Sequence, residues 1–297
     1  MFSIVITTKD RAYYLKRAVD SILKSTISPK DIVIINDGGK AICENDFPPM
    51  KDITLSIVNN RFSMGANYSR NQGIDRTLTN YVFLLDDDDA FTPTTFENRI
   101  NIIKSSVDIG VVFTGINIVS SKNLDKVIRK TKNINDQITT HQLLTEGNVI
   151  GSTSRALIRK DLFCEAGRFD PQLSCLQDYD LWIRMSLVSR IINDHKYGVY
   201  YTIHDNGRQI STNYEKYMQV GKLLINKYDS LLNKNTINAF KSNIYLRVAI
   251  SASASSNKAR LKYSFMSLKY RLNIKALAFS YSQVLFLKDC LIMYKFE

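Results

Sequence analysis

The chain has 297 residues, of which 44% are hydrophobic and 23% are charged, with a formal net charge of +12. This length and composition are sufficient for the core of one large domain or two smaller ones, and they exclude a disordered chain. With only 12 Gly and 5 Pro, collagen-like and linker-dominated architectures are also excluded. The four Cys are scattered, with no C-x-x-C and no His at ligand spacing, so we expect reduced structural thiols and neither a disulfide framework nor a zinc site.

The ends of the sequence bear on where the protein resides. The amino terminus lacks the basic segment and the long apolar segment of a signal peptide. The longest uncharged apolar stretch near the carboxyl end, residues 276–287, is shorter than the roughly 20 residues that a spanning helix needs. We therefore expect a cytoplasmic protein, located free or at the inner face of the plasma membrane.

The positive charge is concentrated near the carboxyl end. Residues 214–297 contain 14 Lys and Arg against 4 Asp and Glu, whereas residues 1–213 contain 26 against 24. Such a segment is typical of a solvated helical face, or of a surface that contacts an anionic membrane or nucleic acid. We expect no nucleic-acid partner, because the sequence has no recognition-helix signature, zinc-finger spacing or aromatic RNA-binding motif.

In chain order, the first part alternates between strand and helix patterns. β-branched or apolar runs predict strands at 2–7, 31–35, 53–58, 81–85 and 109–114. Apolar residues at helical spacing predict helices at 14–23 and 66–78, and one that opens at Thr92-Pro93 and continues past Ile103. This alternation predicts an α/β fold with a mostly parallel sheet that has helices on both faces.

The second part of the chain is less regular. Residues 122–145 form a loosely patterned polar stretch, after which strand patterns at 154–159 and 197–203 flank a helix at 179–189. Beyond residue 211 only helix patterns remain. We therefore predict an α/β domain at 1–213 and a basic helical region at 214–297.

The sharpest chemical signal is the run of four acids at Asp86–Asp89, directly after an apolar strand. Adjacent carboxylates raise one another's pKa unless a positive group lies among them. A divalent cation is the simplest such group, and aspartate oxygens suit Mg²⁺ or Mn²⁺. The alternative is a solvated acidic turn; a phosphatase motif and an EF-hand loop do not fit the neighbouring residues.

Two further strand ends bring polar side chains to the same predicted edge. The first strand ends in Thr7-Thr8 and the second is followed by Asp37, and open α/β sheets bind ligands outside the carboxyl ends of their strands. A nucleotide fits this edge, because Asp can accept from a uracil imide or from ribose hydroxyls. The sequence contains neither G-x-G-x-x-G nor G-x-x-x-x-G-K-[ST], which disfavours the dinucleotide and P-loop sites.

The order of five motifs resembles family 2 glycosyltransferases of the GT-A fold, which use nucleotide-activated sugars. The matching stretches are S-I-V-I-T-T-K-D-R (3–11), I-V-I-I-N-D-G (32–38), G-A-N-Y-S-R-N-Q-G-I (65–74), F-L-L-D-D-D-D-A-F-T-P (83–93) and G-R-F-D-P-Q-L-S-C-L-Q-D-Y-D-L-W-I-R (167–184). The resemblance covers residues 1–210 and implies sugar transfer from a nucleoside-diphosphate sugar, with a UDP-sugar favoured. It further implies inversion at the sugar, a saccharide or lipid-linked saccharide acceptor, and a place in bacterial surface-polysaccharide synthesis.

The resemblance also implies roles for particular positions. Thr8 and Asp37 would hold the base. Arg70 would lie near the nucleotide, with a helix-surface salt bridge as the alternative. Within Asp86–Asp88, Asp86 and Asp87 would contact the nucleotide, while Asp86 and Asp88 would bind the metal, Asp88 most directly. His204 would be a further metal or diphosphate contact, with a structural His as the alternative.

The fifth motif carries the implied catalyst. Asp178 aligns with the family's general base, which removes a proton from the acceptor hydroxyl, and Asp180 is the rival carboxylate. Gln177 replaces the Glu that usually precedes the base and would lie on the acceptor side. Trp182, one helical turn after Asp178, would either pack in the core or, less favoured, stack on the acceptor sugar.

Some alternatives stay open at this point. Arg208 and Ser211 are candidates for a segment that closes over the donor. The basic helical region could contact a membrane, bind a protein partner or form homo-oligomers. A nucleotidyltransferase would need a Gly-rich phosphate loop after the first strand, and a catalytically inactive sugar-nucleotide-binding scaffold is suggested only by Gln177.

Overall fold

The computed structural model describes residues 1–121, 123–132, 134–203, 213–253 and 255–281. Three positions singled out from the sequence, His204, Arg208 and Ser211, lie outside the described residues.

The first part of the chain forms the parallel half of one large sheet. Its strands are β1 (Ser3–Thr8), β2 (Asp31–Asn36), β3 (Thr54–Asn59) and β4 (Tyr81–Asp86), and its helices are α1 (Ala12–Leu23) and α2 (Ala66–Arg76). The strands lie in the order β3-β2-β1-β4, and every neighbouring pair is parallel. β1 and β2 are buried on both faces, as their continuous apolar runs predict.

The second part extends the sheet with strands of mixed direction. Its elements are β5 (Ala90–Phe91), α3 (Thr95–Ser105), β6 (Ile109–Ser120), β7 (Asn123–Lys130), β8 (Gln137–Ile138), α4 (Thr140–Glu146), β9 (Ala156–Arg159), α5 (Lys160–Glu165), α6 (Gln177–Val188) and β10 (Arg190–Ile203). The sheet continues from β4 through β9, β6 and β10 to β5. β9 is antiparallel to β4 and β6, whereas the long pairing of β6 with β10 is parallel. The α/β class expected from the sequence is confirmed.

Alternate residues of the strands supply two separate cores. Ile4, Ile6, Ile32 and Ile34 face the side covered by α1 and α3. Their neighbours Val5, Val33 and Ile35 face the side covered by α2 and by the helices of the second half. Because successive side chains of a strand point to opposite faces, each buried strand contributes to both layers.

One strand lies where the sequence indicated only a loose polar stretch. β7 pairs antiparallel with β6, and most of its residues are exposed. Among the described strands it pairs with β6 alone, outside the main strand order, so its backbone hydrogen bonds hold it in place without an apolar run. This exposure explains why an analysis based on hydrophobic runs missed it.

The carboxyl-terminal helices pack onto the α/β part and share its core. They are α7 (Tyr214–Asp229), α8 (Lys234–Ala252), α9 (Asn257–Tyr270) and α10 (Ile274–Tyr281). Leu224 of α7 and Phe240 of α8 belong to the same hydrophobic cluster as Tyr179 and Leu181 of α6. The described elements after residue 213 are thus all helices, and the hydrophobic cluster runs continuously across the predicted boundary between 213 and 214.

A buried charge reinforces this junction. Asp180 is fully buried on α6, where Arg184 donates to one of its carboxylate oxygens over 2.6 and 2.9 Å. Lys227 and Tyr228 of α7 donate to the other oxygen over 2.8 and 2.9 Å. Asp180 is therefore an anchor between α6 and α7. Among the described helices, none is both long and apolar enough to cross a bilayer.

Candidate active site

The carboxyl ends of β1, β2 and β4 meet at one edge, as predicted. Thr8 pairs with Asn36 in the β1–β2 register, and Thr7 pairs with Asp86 in the β1–β4 register. The backbone N–H of Asp37 donates to the Thr8 carbonyl over 2.8 Å. The position of Asp37 and Asp86 at this edge therefore follows directly from the sheet topology.

Asp87 points into the protein between β1 and α1. The Thr8 hydroxyl donates to its Oδ2 over 2.6 Å, and Nη1 of Arg11 lies 3.2 Å from its Oδ1. Burial is the main reason that the pKa of Asp87 is raised, to about 6, with a further contribution from the charge of Asp88. Thr8, expected to hold a base, instead binds an acid of the cluster through its hydroxyl proton.

Arginines supply the positive charge that the acids require. Arg11 bonds Asp88 over 2.8 Å as well as Asp87, and Arg70 bonds Oδ1 of Asp86 over 2.7 Å. A divalent cation was the simplest counter-charge expected from the acid run alone, and the contribution of Arg11 was not predicted. Its signal was present, because Arg11 closes the first motif.

The fourth acid lies away from solvent. Asp89 is buried, and its Oδ1 accepts from the backbone N–H of Thr202 over 3.0 Å. Burial, followed by the charges of Asp88 and Asp86, raises the pKa of Asp89 well above its ordinary value. Burial therefore favours the protonated form of Asp89, while Arg11 and Arg70 supply positive charge to the other three acids from within the chain.

The donor chemistry of the cluster still fits Mg²⁺ or Mn²⁺. Such ions bind through one or two protein carboxylates together with substrate phosphates. The side chains of Asp86 and Asp88 are 29% and 22% exposed, so both carboxylates can be reached from solvent. Among the described residues no group of three or more His, Cys, Asp or Glu could hold a metal. An ion here would thus depend on phosphate oxygens and would share Asp88 with Arg11.

Asp37 organises the loop that leads into α2. Its carboxylate accepts from the Ser63 hydroxyl and the Gly65 N–H on Oδ2, and from the Met64 N–H and the Ser69 hydroxyl on Oδ1, over 2.7 to 3.0 Å. These four bonds lower the pKa of Asp37 against the opposing effect of burial. Because an ionised carboxylate has about four acceptor positions, the expected contact with a base would require exchanging one of these donors.

Arg70 offers an unused donor at the site. It is buried between Asp86 and the ring of Phe169, whose centroid lies 5.6 Å from the guanidinium carbon. Its Nη1 is buried without a hydrogen-bond partner among the described residues, and so is the hydroxyl of Ser152. Buried donors are normally paired, so this atom is available to donate to a ligand or to water beside Asp86.

The fifth motif reaches the acid cluster through the loop that precedes β9. Asp178 lies in the first turn of α6, and Nδ2 of Asn148 donates to its Oδ2 over 3.0 Å. At the other end of this loop, the hydroxyls of Thr153 and Ser154 bond the side chain and the backbone N–H of Asp86. The loop therefore connects the implied base to the acids, a link that no motif in the sequence predicted.

The neighbours of Asp178 have different surroundings. Gln177 is half-buried at the start of α6. Trp182 is fully buried, and its indole N–H donates to the Gly151 carbonyl over 3.0 Å. The acceptor-side assignment of Trp182 is therefore wrong for this structure, because its ring presents no exposed face, and the core alternative holds. Both carboxylate oxygens of Asp180 are buried and accept hydrogen bonds from α6 and α7, which removes Asp180 as the rival base.

Comparison with known proteins places the chain among glycosyltransferases. The sequence model of Glycosyl transferase family 2 matches residues 3–166. An uncharacterized glycosyltransferase of Rickettsia typhi is 28% identical over 211 residues, which cover 69% of this chain and 64% of the relative. The uncharacterized glycosyltransferase YwdF of Bacillus subtilis is 25% identical over 69% of this chain and 75% of its own length. The chain thus spans slightly less than two thirds of the Rickettsia typhi relative.

A solved structure extends the comparison to the carboxyl-terminal helices. The crystal structure of S. aureus TarS 1–349 in complex with UDP-GlcNAc has a TM-score of 0.63 and 14% identity, covering 94% of this chain and 89% of that chain. At this identity the likeness concerns the fold alone. Its coverage shows that the similarity reaches beyond residue 213.

Proposed function

The chain belongs to Glycosyl transferase family 2, and from this premise we propose that it transfers a sugar from a nucleoside-diphosphate sugar to a saccharide or lipid-linked saccharide. A UDP-sugar is the favoured donor, because the fold neighbour TarS was crystallised with UDP-GlcNAc. Surface-polysaccharide synthesis is the class of process that such an acceptor serves.

The observation that carries this proposal is the unpaired donor of Arg70 beside Asp86. Nη2 of Arg70 bonds Asp86, while its buried Nη1 has no partner among the described residues. A ribose or diphosphate oxygen at the strand edge would accept from Nη1 and remove the penalty of about 1–3 kcal/mol that an unmet buried donor carries. The acceptor end of the site then falls toward Asp178.

Asp178 is proposed as the general base of an inverting transfer. The anomeric carbon gains oxocarbenium character as the nucleoside diphosphate leaves, and Asp178 takes the proton of the attacking hydroxyl on the opposite face. The first turn of α6 favours the ionised carboxylate, because the helix N-terminus is electropositive. Gln177 adds no negative charge beside it, unlike the Glu that the family usually has.

The leaving group is proposed to depart against the acid cluster. Mg²⁺ or Mn²⁺ held by Asp88 and Asp86 would stabilise the negative charge on the departing phosphate when bound. From the chain itself, Arg70 can donate to the same oxygens. Arg11 would have to shift from Asp88 toward Asp87 to share the cluster, and Asp87 already accepts from it.

A panel of nucleotide sugars tests the function directly. Release of nucleotide and transfer of sugar would be measured with UDP-GlcNAc, UDP-glucose, UDP-galactose, GDP-mannose and dTDP-rhamnose, with Mn²⁺, with Mg²⁺ and with EDTA. We expect one UDP-sugar to be consumed, and Asp178→Asn to lower turnover about 10²- to 10⁴-fold while donor affinity is retained.

The matched control is Asp125→Asn, which removes an exposed acid of β7 and should leave turnover unchanged. Binding of a nucleotide sugar without turnover of any donor would favour the inactive scaffold instead. Near-normal turnover by Asp178→Asn would remove Asp178 as the base. Equal activity with EDTA and with metal would show that the transfer needs no divalent ion.

We further propose that the exposed side of α9 contacts an anionic membrane surface that presents the acceptor. Residues 230–281 contain 9 Lys and Arg and no Asp or Glu. Lys258, Lys262, Phe265 and Lys269, spaced by four, three and four residues, form an exposed stripe that we call the basic face of α9. Each such Lys would contribute about 1 kcal/mol near anionic lipid, and Phe265, 60% exposed, could insert at the interface.

Liposome flotation tests the basic face of α9. Removing residues 214–297 is unsuitable, because it would expose the core shared by α6, α7 and α8. Reversing the three Lys of the face to Glu should lower binding to phosphatidylserine vesicles at least about 100-fold. The control reverses Lys24, Lys51 and Lys126, which are exposed elsewhere. An equal loss of vesicle binding in both variants would indicate only an effect of net charge. If light scattering instead gave the parent protein a molar mass that falls when the basic face of α9 is reversed, homo-oligomers through this face would be favoured.

A further inference from the structure

Asp178 is held by a closed set of contacts that returns to its own helix. Asn148 donates from Nδ2 to Oδ2 of Asp178, and its Oδ1 accepts from the Gly151 N–H over 2.9 Å. The Gly151 carbonyl in turn accepts from Nε1 of Trp182. Trp182 lies four residues after Asp178 on α6, so the set closes through one helical turn.

We propose that Asn148 is the positioning residue for the base, and that Gly151 and Trp182 hold Asn148 in place. The inference rests on the proposed role of Asp178. It assigns functions to the loop before β9 and to the buried indole N–H, neither of which touches a substrate in this scheme.

The direction of the Asn148 amide follows from its two contacts. A backbone N–H can only donate, so the atom that faces Gly151 must be the carbonyl oxygen of the amide. The amide nitrogen is therefore the group that faces Asp178, and a nitrogen donor bonds most strongly to an ionised carboxylate. Asn148 thus favours the charged form of Asp178, which is the form that can accept a proton from an acceptor hydroxyl.

The second carboxylate oxygen is also oriented. Oδ1 of Asp178 accepts from the backbone N–H of Tyr179 over 2.8 Å. With one oxygen fixed by the helix and the other by Asn148, rotation of the carboxylate about its χ2 angle is restricted. A base held in this way loses less freedom when the acceptor hydroxyl approaches.

Gly151 is suited to joining the two side chains. It has a φ of +85°, a backbone conformation that residues with a Cβ adopt only with strain. Both of its backbone groups are used, the N–H toward Asn148 and the carbonyl toward Trp182. The buried Trp182, which has no exposed face for a sugar, therefore gains a role at the site through its N–H.

The test compares two substitutions of Asn148 in the full-length chain, using the donor that the nucleotide-sugar panel identifies. Asn148→Ala removes both contacts. Asn148→Asp has nearly the same shape and still accepts from Gly151, but it cannot donate to Asp178 and adds a like charge. We expect kcat to fall about 10- to 100-fold in Asn148→Ala, the range for a lost hydrogen bond to a charged group, and further in Asn148→Asp. The KM for the donor should change less than twofold in both.

A purely structural role for Asn148 predicts a different order. Asn148→Asp would then stay near the parent kcat, because it preserves the loop contact, and only Asn148→Ala would be impaired. That order would overturn the inference. Near-parental kcat in both variants, with Asp178→Asn inactive, would also overturn it while leaving the proposed base intact. If Asp178→Asn itself turned over normally, the proposed function of Asp178 would fail first.

A second readout needs no substrate. Trp182 is the only Trp of the chain, so its indole N–H gives a single resonance in a ¹⁵N-labelled sample. We expect this N–H to exchange with solvent faster in Asn148→Ala than in the parent, because Gly151 is released from one side. Trp182→Phe identifies the signal by its loss and should lower kcat at constant donor KM. An unchanged exchange rate in Asn148→Ala would show that Trp182 and Asn148 are not coupled.

Discussion

Asp180→Asn is the substitution for which the structure gives the clearest energetic expectation. The parent carboxylate is fully buried and bonds Arg184 through two nitrogens, Lys227 and the Tyr228 hydroxyl. Lys227 also lies 3.5 Å from Asp170, so two acids balance two bases in this cluster. Asparagine has nearly the same size, but it leaves the cluster with one excess positive charge and turns an N–H₂ group toward donors.

The expected magnitude depends on how far the released cations can reach water. Removing one partner of a fully buried pair typically lowers the free energy of unfolding by 3–5 kcal/mol. The side chains of Arg184 and Lys227 are 15% and 35% exposed, so both can regain part of their hydration. We therefore expect a loss of about 2–4 kcal/mol for Asp180→Asn. Lys227→Met should lose less, because Arg184 still neutralises Asp180.

Urea unfolding followed by tryptophan fluorescence measures this loss, because the only Trp lies on the same helix as Asp180. With a slope near 3 kcal/mol per molar urea, the midpoint should fall by about 1 M. Asp125→Asn is the exposed control and should leave the midpoint unchanged. A midpoint for Asp180→Asn within 0.1 M of the parent, on the order of the uncertainty of such fits, would refute the view that Asp180 anchors α7.

Other expectations follow from single contacts. In Gly73→Ala the new Cβ would lie 2.4 Å from Cγ1 of Val5. The cost of this overpacking, about 1–3 kcal/mol, should exceed the gain in helix propensity of about 1 kcal/mol. Urea unfolding should therefore show a lower free energy of unfolding for Gly73→Ala than for the parent. Because the pKa of Asp37 is lowered in the folded protein, its stabilisation is present above the ordinary Asp pKa of about 3.9 and is lost as the pH falls through the lowered value. The difference in unfolding free energy between the parent and Asp37→Asn should therefore shrink below about pH 4. Arg70→Lys should weaken UDP binding, measured by calorimetry, about 10-fold. Arg76→Lys, which changes an exposed residue of the same helix, should leave the affinity unchanged. An Arg70→Lys variant that binds UDP as tightly as the parent would argue against a nucleotide contact at Arg70.

The sequence was informative wherever burial is continuous along the chain. β1, β2 and β4 were predicted because both of their faces are apolar, and their shared direction placed the acids at one edge. The polar, exposed β7 was missed because hydrophobic pattern is the signal on which strand prediction depends. Resemblance to the family located the motifs, and the register of the sheet then brought the first, second and fourth together.

Contacts between distant segments could not be predicted in this way. Arg11 meets Asp88 from 77 residues away, and a pattern within one segment contains no information about such a pair. The separate roles of Asp178 and Asp180 depend likewise on Asn148 and on Lys227, which lie on other elements. For the same reason, the divalent cation, which is the simplest counter-charge for the acid run taken alone, is one of two ways to balance the acids once Arg11 and Arg70 are placed beside them.

The loop from Asn148 to Ser154 has a geometric consequence for substrates. Its first residue contacts Asp178, the proposed base, and its last contacts Asp86, and six backbone steps extend to about 20 Å at most. The chain length of this loop thus sets an upper limit on the gap between the leaving-group side and the attacking side. A monosaccharide is much smaller than that limit, so the loop ties Asp178 and Asp86 to one another without by itself restricting which sugar can lie between them.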